Sequence, residues 1–162
     1  MYLLDANVLI EAKNRYYGFD IAPGFWQWLE QAYEQFLICS IKPVQEELEE
    51  GNDRLTTWAH EHPTFFREID QDTTKHFRTI ADWAVSRHYT NAALTAFTSN
   101  DTDFLLVAYA REHNHIVVTH ELSDSKARKR VKIPDACLAM KVQYTDTFQM
   151  LRDTGAKLIL PS

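Results

Sequence analysis

The first fourteen residues, MYLLDANVLIEAKN (1–14), set the frame for the rest of the chain. Tyr2, Leu3 and Leu4 make a short apolar run with the character of a buried strand. Asp5-Ala6-Asn7 interrupts it, and Val8, Leu9, Ile10 and Ala12 then recur on one face of a helix. A carboxylate at the C-terminal end of a strand, just ahead of a helix, stands where open α/β sheets place their ligands. The competing reading is that Asp5 or Asn7 simply caps the helix. These residues alone leave both readings open.

Beyond this stretch, "NRYYGFDIAPG" reads as a loop, and Pro23-Gly24 introduces "FWQWLEQAYEQFLIC". In that segment Phe25, Trp28, Leu29, Ala32, Phe36 and Leu37 fall at helical spacing. "KPVQEELEEG" is a second helix, opened by Pro43 and stopped by Gly51, and "DRLTTWAHEH" a third, ended by Pro63. "TFFREID" reads as a short strand, "TTKHFRTIADWAVSRHY" and "NDTDFLLVAYAREH" as helices. "HIVVTHE" is the clearest strand, rich in β-branched residues. "IPDACLAMKV" and "TDTFQMLRDTG" follow as helices and "KLILP" as a last strand. Strands separated by helices predict a parallel sheet with helices on both faces, an α/β fold. The length predicts one domain over residues 1–162.

Four Trp, seven Tyr and nine Phe argue for a packed core rather than disorder. No apolar run approaches the ~20 residues that span a bilayer. No basic region precedes the first apolar stretch, so a cytoplasmic protein without signal peptide is expected. Cys39 and Cys137 fit no metal or redox spacing and read as reduced core thiols. The net charge of −6 disfavours broad attraction to phosphate backbones. Against it stands "KARKRVK", with Lys126, Arg128, Lys129, Arg130 and Lys132 within seven residues. This run is either a solvated loop or a grip on phosphate or an acidic partner.

In a parallel sheet the strand ends open on one rim, which brings Thr119 and Glu121 towards Asp5. Asp103 lies in the first turn of a nearly continuous apolar helix, where the macrodipole favours an anion. Asn100 and Asp103 also have the spacing of a capping pair. In "PVQEELEEG", Val44 and Leu48 define the buried direction; at about 100° per residue Glu47 falls at the edge of that face and Glu46 points into solvent. Four carboxylates on one rim raise one another's pKa unless a cation stands between them. Oxygen-only donors select Mg²⁺ or Mn²⁺ over zinc. Such an ion would make a nucleophile of a bound water and neutralise charge on a phosphate.

Strand-Asp5-x-Asn7 with "NVLI", Glu47-Leu48 followed by a glycine, "DTDFLLVAYA" and "IVVTHE" occur in an order that resembles PIN-domain ribonucleases, including VapC-like toxins. The likeness runs from residue 1 to about residue 140. The long insert "NRYYGFDIAPGFWQWLEQ" is similar to a bacterial PIN-like subfamily without an assigned role. The resemblance implies a three-layer sandwich and a metal-dependent endoribonuclease that cuts RNA as the toxin of a type II toxin–antitoxin pair. It implies Asp5 and Asp103 as ligands of Mg²⁺ or Mn²⁺, Glu47 as completing the site, Asn7 as supporting it, and Thr119 as a strand-end hydroxyl that helps place metal or water. A cognate antitoxin and a homodimer are the implied partners. Glu121 departs from the pattern, which has Asp or Asn there, so Asp124 or Asp135 stands as an alternative fourth acid. Lys126, Arg128, Lys129 and Arg130 are the candidate RNA contacts.

Other chemistries fit less well. A haloacid-dehalogenase-type phosphatase needs a second aspartate where this chain has Asn7. The pairs His60/His62 and His113/His115 lack further ligands at zinc spacing. No G-x-G-x-x-G and no P-loop is present. The rival of another class is a PIN-like RNA- or protein-binding module without catalysis, which would use the basic run and the aromatic-rich stretch from Tyr16 to Phe36.

Overall fold

The computed structural model describes residues 1–99 and 101–160. Strand β1 (Tyr2–Leu4) runs into helix α1 (Ala6–Glu11), which continues as a π-helical turn over Ala12–Tyr16. Helix α2 (Pro23–Glu34) leads to β2 (Ile38–Ile41), followed by α3 (Lys42–Glu49), α4 (Arg54–Glu61) and the two-residue strand β3 (Phe66–Arg67). Helices α5 (Phe77–Ser86), α6 (Asn91–Thr98) and α7 (Thr102–His113) then return the chain to β4 (Ile116–Val118). Helix α8 (Ile133–Ala139), β5 (Tyr144–Thr145) and α9 (Thr147–Asp153) complete the fold.

Among the described residues, the sheet has the order β3-β2-β1-β4-β5, and every pairing is parallel. In register, Leu3 faces Cys39 on one side and Val117 on the other. From β1 the chain steps outward through β2 to β3, then crosses back to lay β4 along the free edge of β1. Right-handed crossovers in opposite directions put their helices on opposite faces. The reversal leaves a topological switch point between β1 and β4, the crevice where such sheets bind ligands.

Leu3, Leu4, Ile38, Ile41, Val117 and Val118 are fully buried, so the central strands are covered on both faces. Helix α7 is buried at every position from Phe104 to Ala110, as befits a helix packed on several sides. Cys39 and Cys137 are free and buried in this core, and burial pushes their thiols up to about 11 and about 12. No helix among the described residues is long and apolar enough to cross a membrane.

Three expectations need correction. "LIC" does not continue the helix begun at Pro23. Phe36 adopts a left-handed backbone (φ 58°), ends that helix exposed to solvent, and frees Ile38–Ile41 to become a central strand. Residues 157–160 of "KLILP" form no strand, and the sheet edge is Tyr144–Thr145 instead. Helix α6, capped by the Thr90 hydroxyl accepting from Ala93 N–H, is an element the apolar spacing did not mark.

Candidate active site

The rim of the switch point carries an acid cleft. Asp5 follows β1 and is 1% exposed, with its N–H donating to Val118 O at 3.0 Å. It occupies the N-cap position of α1, yet its side chain makes no capping hydrogen bond. It accepts instead from the Thr119 hydroxyl at 3.1 Å, and Thr119 Oγ1 itself accepts from Glu121 N–H at 3.1 Å. Asp5 thus stands at the N-cap of α1 while its carboxylate is also oriented from the neighbouring strand.

A cavity of about 320 Å³ gathers Asp5, Asn7, Glu47, Asp101 and Asp103, with Phe97 of α6 on its apolar wall. Helix geometry sends Glu47 rather than Glu46 to this cleft, as the spacing of Val44 and Leu48 requires. Asp101, just before α7, joins the acids; sequence reasoning passed over it, although "DTD" places carboxylates on both sides of the helix start. Asn100, the partner of Asp103 in a capping pair, lies outside the described residues.

The electrostatics follow from crowding. Burial pushes Asp5 up to about 7, aided by repulsion from Glu121 and Glu47 and opposed by the Thr119 hydroxyl. Burial, then the charges of Asp5, Asp101 and Glu121, pushes Asp103 up to about 8. Glu47 and Asp101 are raised as well, chiefly by desolvation.

One cation enters this field. Arg130 Nη2 lies 2.6 Å from Glu121 Oε1 and 3.5 Å from Asp103 Oδ2. Glu121 Oε1 is buried, and this guanidinium is its ionic partner. Its other oxygen accepts from Ile133 N–H at 2.8 Å, which ties the start of α8 to the cleft.

The alternative fourth acids go elsewhere. Asp135 accepts from the Ser123 hydroxyl (2.5 Å) and Asp124 N–H (3.1 Å), and Asp124 from Lys126 N–H (3.0 Å); both organise the exposed loop. The basic run divides. Lys129 and Arg130 line the cleft, whereas Arg128 turns its guanidinium onto Ser125 O and Ala127 O.

Oxygen donors in excess, two of them holding protons near neutrality, suit a hard divalent cation. Among the described residues no three His, Cys, Asp or Glu side chains stand close enough together, as placed, to hold a metal ion. The arrangement is an open cleft with a guanidinium between two acids. Asp5, Asp103 and Glu47 are the acids that would have to draw together to hold such an ion, with Glu121 beside them held by Arg130. The histidine pairs do not converge. His62 contacts Glu30 and His113 contacts Asp70, each on its own surface.

Residues 2–158 match a family described as Domain of unknown function (DUF4411). The chain belongs to that family. No curated protein matches it. A solved structure of FitAB bound to an IR36 DNA fragment is similar to this DUF4411 chain, with a TM-score of 0.54 at 15% identity. The match covers 90% of this chain and 94% of the FitAB chain. It shows a PIN-like fold: a parallel sheet flanked by helices, the architecture expected from the sequence.

Proposed function

We propose that this chain is a Mg²⁺- or Mn²⁺-dependent endoribonuclease that hydrolyses phosphodiester bonds of RNA. The observation that carries the reading is the acid cleft at the β1/β4 switch point, with Asp5 and Asp103 raised to about 7 and about 8. Bound there, a divalent ion would supply an activated water and neutralise charge on the phosphate. Asp5, Asp103 and Glu47 would hold it. Thr119 fixes the direction of the Asp5 carboxylate through its 3.1 Å hydrogen bond. Glu121 anchors Ile133 and Arg130, which favours a supporting place for it over direct ligation. Lys129 and Arg130 stand where a substrate's phosphates would pass.

The toxin reading extends this proposal. A PIN-like fold at low identity to FitAB is compatible with an antitoxin partner and a homodimer, and expression alone should then slow growth. A second reading has one observation in its favour. Arg130 already sits between Asp103 and Glu121, as expected of a binding module whose acids serve structure. Metal separates the two. Purified protein should cut RNA with Mn²⁺, stop in EDTA, and lose activity by orders of magnitude in Asp5→Asn and Asp103→Asn while both remain folded. Matched DNA in parallel tests the substrate class. Equal cleavage by both variants, or RNA affinity unchanged in EDTA with no cleavage, would refute the nuclease.

A further inference from the structure

Of the aromatic residues between Tyr16 and Phe36, most are spent inside the fold. Tyr17 stacks on Phe25 at 4.3 Å and Phe19 on Trp26 at 3.8 Å between ring centroids. Tyr16 is different. It is the last residue of the π-helical turn, 44% exposed, and faces His120 and Phe148 with centroids 5.7 and 5.1 Å away. His120 and Phe148 are themselves 6.0 Å apart, so three rings from three separate parts of the chain meet at the rim. π-Helical turns often occur at functional sites, because the added residue re-aims the side chains beyond it.

His120 and Phe148 line a groove of about 370 Å³ beyond β4 and β5, together with Thr119, Glu121, Leu122 and Gln149. Leu122 is 82% exposed. Thr119 and Glu121 line this groove and each touches a residue of the acid cleft, Thr119 by its hydrogen bond to Asp5 and Glu121 by its ion pair with Arg130. None of the described residues that line the groove is Lys or Arg, and Asp146 stands among them. Burial lowers the pKa of His120, opposed by the charges of Asp146 and Glu11. A phosphate has no partner here. A flat, uncharged ring does: His120, Tyr144 and Phe148 line the groove with the Gln149 amide at one side, and Tyr16 packs edge-on against Phe148 and tilted against His120.

We propose that the Tyr16–His120–Phe148 shelf stacks an unpaired base next to the phosphate held at the acid cleft, so that the protein takes single-stranded nucleic acid. The proposal rests on the nucleic-acid reading of the cleft and names a subsite of it. The division of charge supports this occupant: cations Lys129 and Arg130 line the cleft where phosphates would lie, and the aromatic rings line a groove that Lys and Arg do not enter among the described residues. A base inside a duplex cannot reach the shelf without leaving its stack.

Base–aromatic stacking contributes ~1–3 kcal/mol per base, or roughly 5- to 150-fold in affinity. The test is binding of the full-length protein to a short fluorescent single-stranded RNA in EDTA, where nothing is cut. Oligonucleotides carry a single abasic position, moved one nucleotide at a time. Wild type should lose five-fold or more at one position. Tyr16→Leu should bind the intact strand five-fold or more weakly and show no further loss at that position, whereas Tyr16→Trp should retain both affinity and the abasic effect. Melting temperatures confirm that each variant is folded. Equal affinity of Tyr16→Leu and wild type, or no position-dependent loss, overturns the shelf even if the protein cleaves RNA with Mn²⁺. A position-dependent loss without any cleavage would retain the shelf and remove the enzyme. Dissociation of a dimer by Tyr16→Leu with RNA binding unchanged would mark the rings as a contact between chains and overturn the proposal.

Discussion

The acid cleft predicts that removing its central charge stabilises the metal-free fold. Asp5 titrates at about 7 when folded against an ordinary value of 3.8. A group raised in this way favours folding fully below pH ~4, and that contribution is lost as pH rises to about 7. Above pH 7 the ionised carboxylate is a constant penalty. At 1.36 kcal/mol per pH unit the displacement corresponds to about 4 kcal/mol, and relaxation of the mutant site would reduce this to roughly 2–4 kcal/mol. Asp5→Asn keeps the shape, leaves an oxygen for the Thr119 hydroxyl, and relieves the repulsion on Asp103. For a chain of this length, 1 kcal/mol moves Tm by roughly 2–4 °C. Asp5→Asn should therefore melt about 5–15 °C above wild type in EDTA at pH 8, and the gap should shrink to about a quarter of that by pH 4.5. Saturating Mn²⁺ should stabilise wild type by about 2.7 kcal/mol at 100 times Kd and leave the variant unmoved. Thermal melts at three pH values, with and without Mn²⁺, decide the matter. Equal or lower Tm for Asp5→Asn at pH 8 would refute the electrostatic account, as would a gap at pH 4.5 as wide as that at pH 8.

Two further outcomes concern the cations. Arg130→Gln removes the guanidinium from between Asp103 and Glu121 and should tighten Mn²⁺ binding several-fold by calorimetry; unchanged or weaker affinity would mean that Arg130 does not compete with the ion. In the basic loop, Lys129→Ala should weaken RNA binding and lower its salt slope by about 1, whereas Arg128→Ala should leave both nearly unchanged, because that guanidinium bonds its own loop; the same slope for both variants would remove Lys129 from the RNA surface.

Asp5, Asp103 and Thr119 were legible in the sequence because each stands at the junction of an apolar run with an element of the other kind, and such junctions fix positions in a parallel sheet. Glu47 was legible by helix rotation alone. Strand β2 was not. All four of its residues are buried, so it has no alternation of polarity, and it continues the apolar character of α2 without a Gly or Pro between them. The break is a left-handed Phe36, a position for which glycine is the usual signal. "KLILP" misled in the opposite direction: its apolar, β-branched character suits a strand, yet Ile159 and Leu160 are exposed and the edge position belongs to two residues too few to show a period. Asp101 was hidden by the stronger pattern of the helix behind it. The convergence of Tyr16 with His120 and Phe148 was beyond sequence reading, since it depends on an extra residue in one helical turn.

The placement of Arg130 stems from the same excess of negative charge that raises Asp5 and Asp103. Five carboxylates reach the rim, counting Glu121, and the described cations facing them are Lys129 and Arg130. Charges at this density in a partly dry cleft neutralise themselves by whatever is nearest. Here that means protons on Asp5 and Asp103 and a guanidinium between Asp103 and Glu121. A divalent ion entering the cleft must therefore release protons and displace or rearrange Arg130, so its affinity should rise with pH through the range of about 7 to 8 in which the two aspartates ionise. Glu121 keeps the displaced arginine close, because its second oxygen is fixed to Ile133 at the end of the same loop. On the proposed function, the loop that neutralises the cleft would then be the loop left beside a substrate's phosphates once metal is bound, and one short basic segment would serve both tasks.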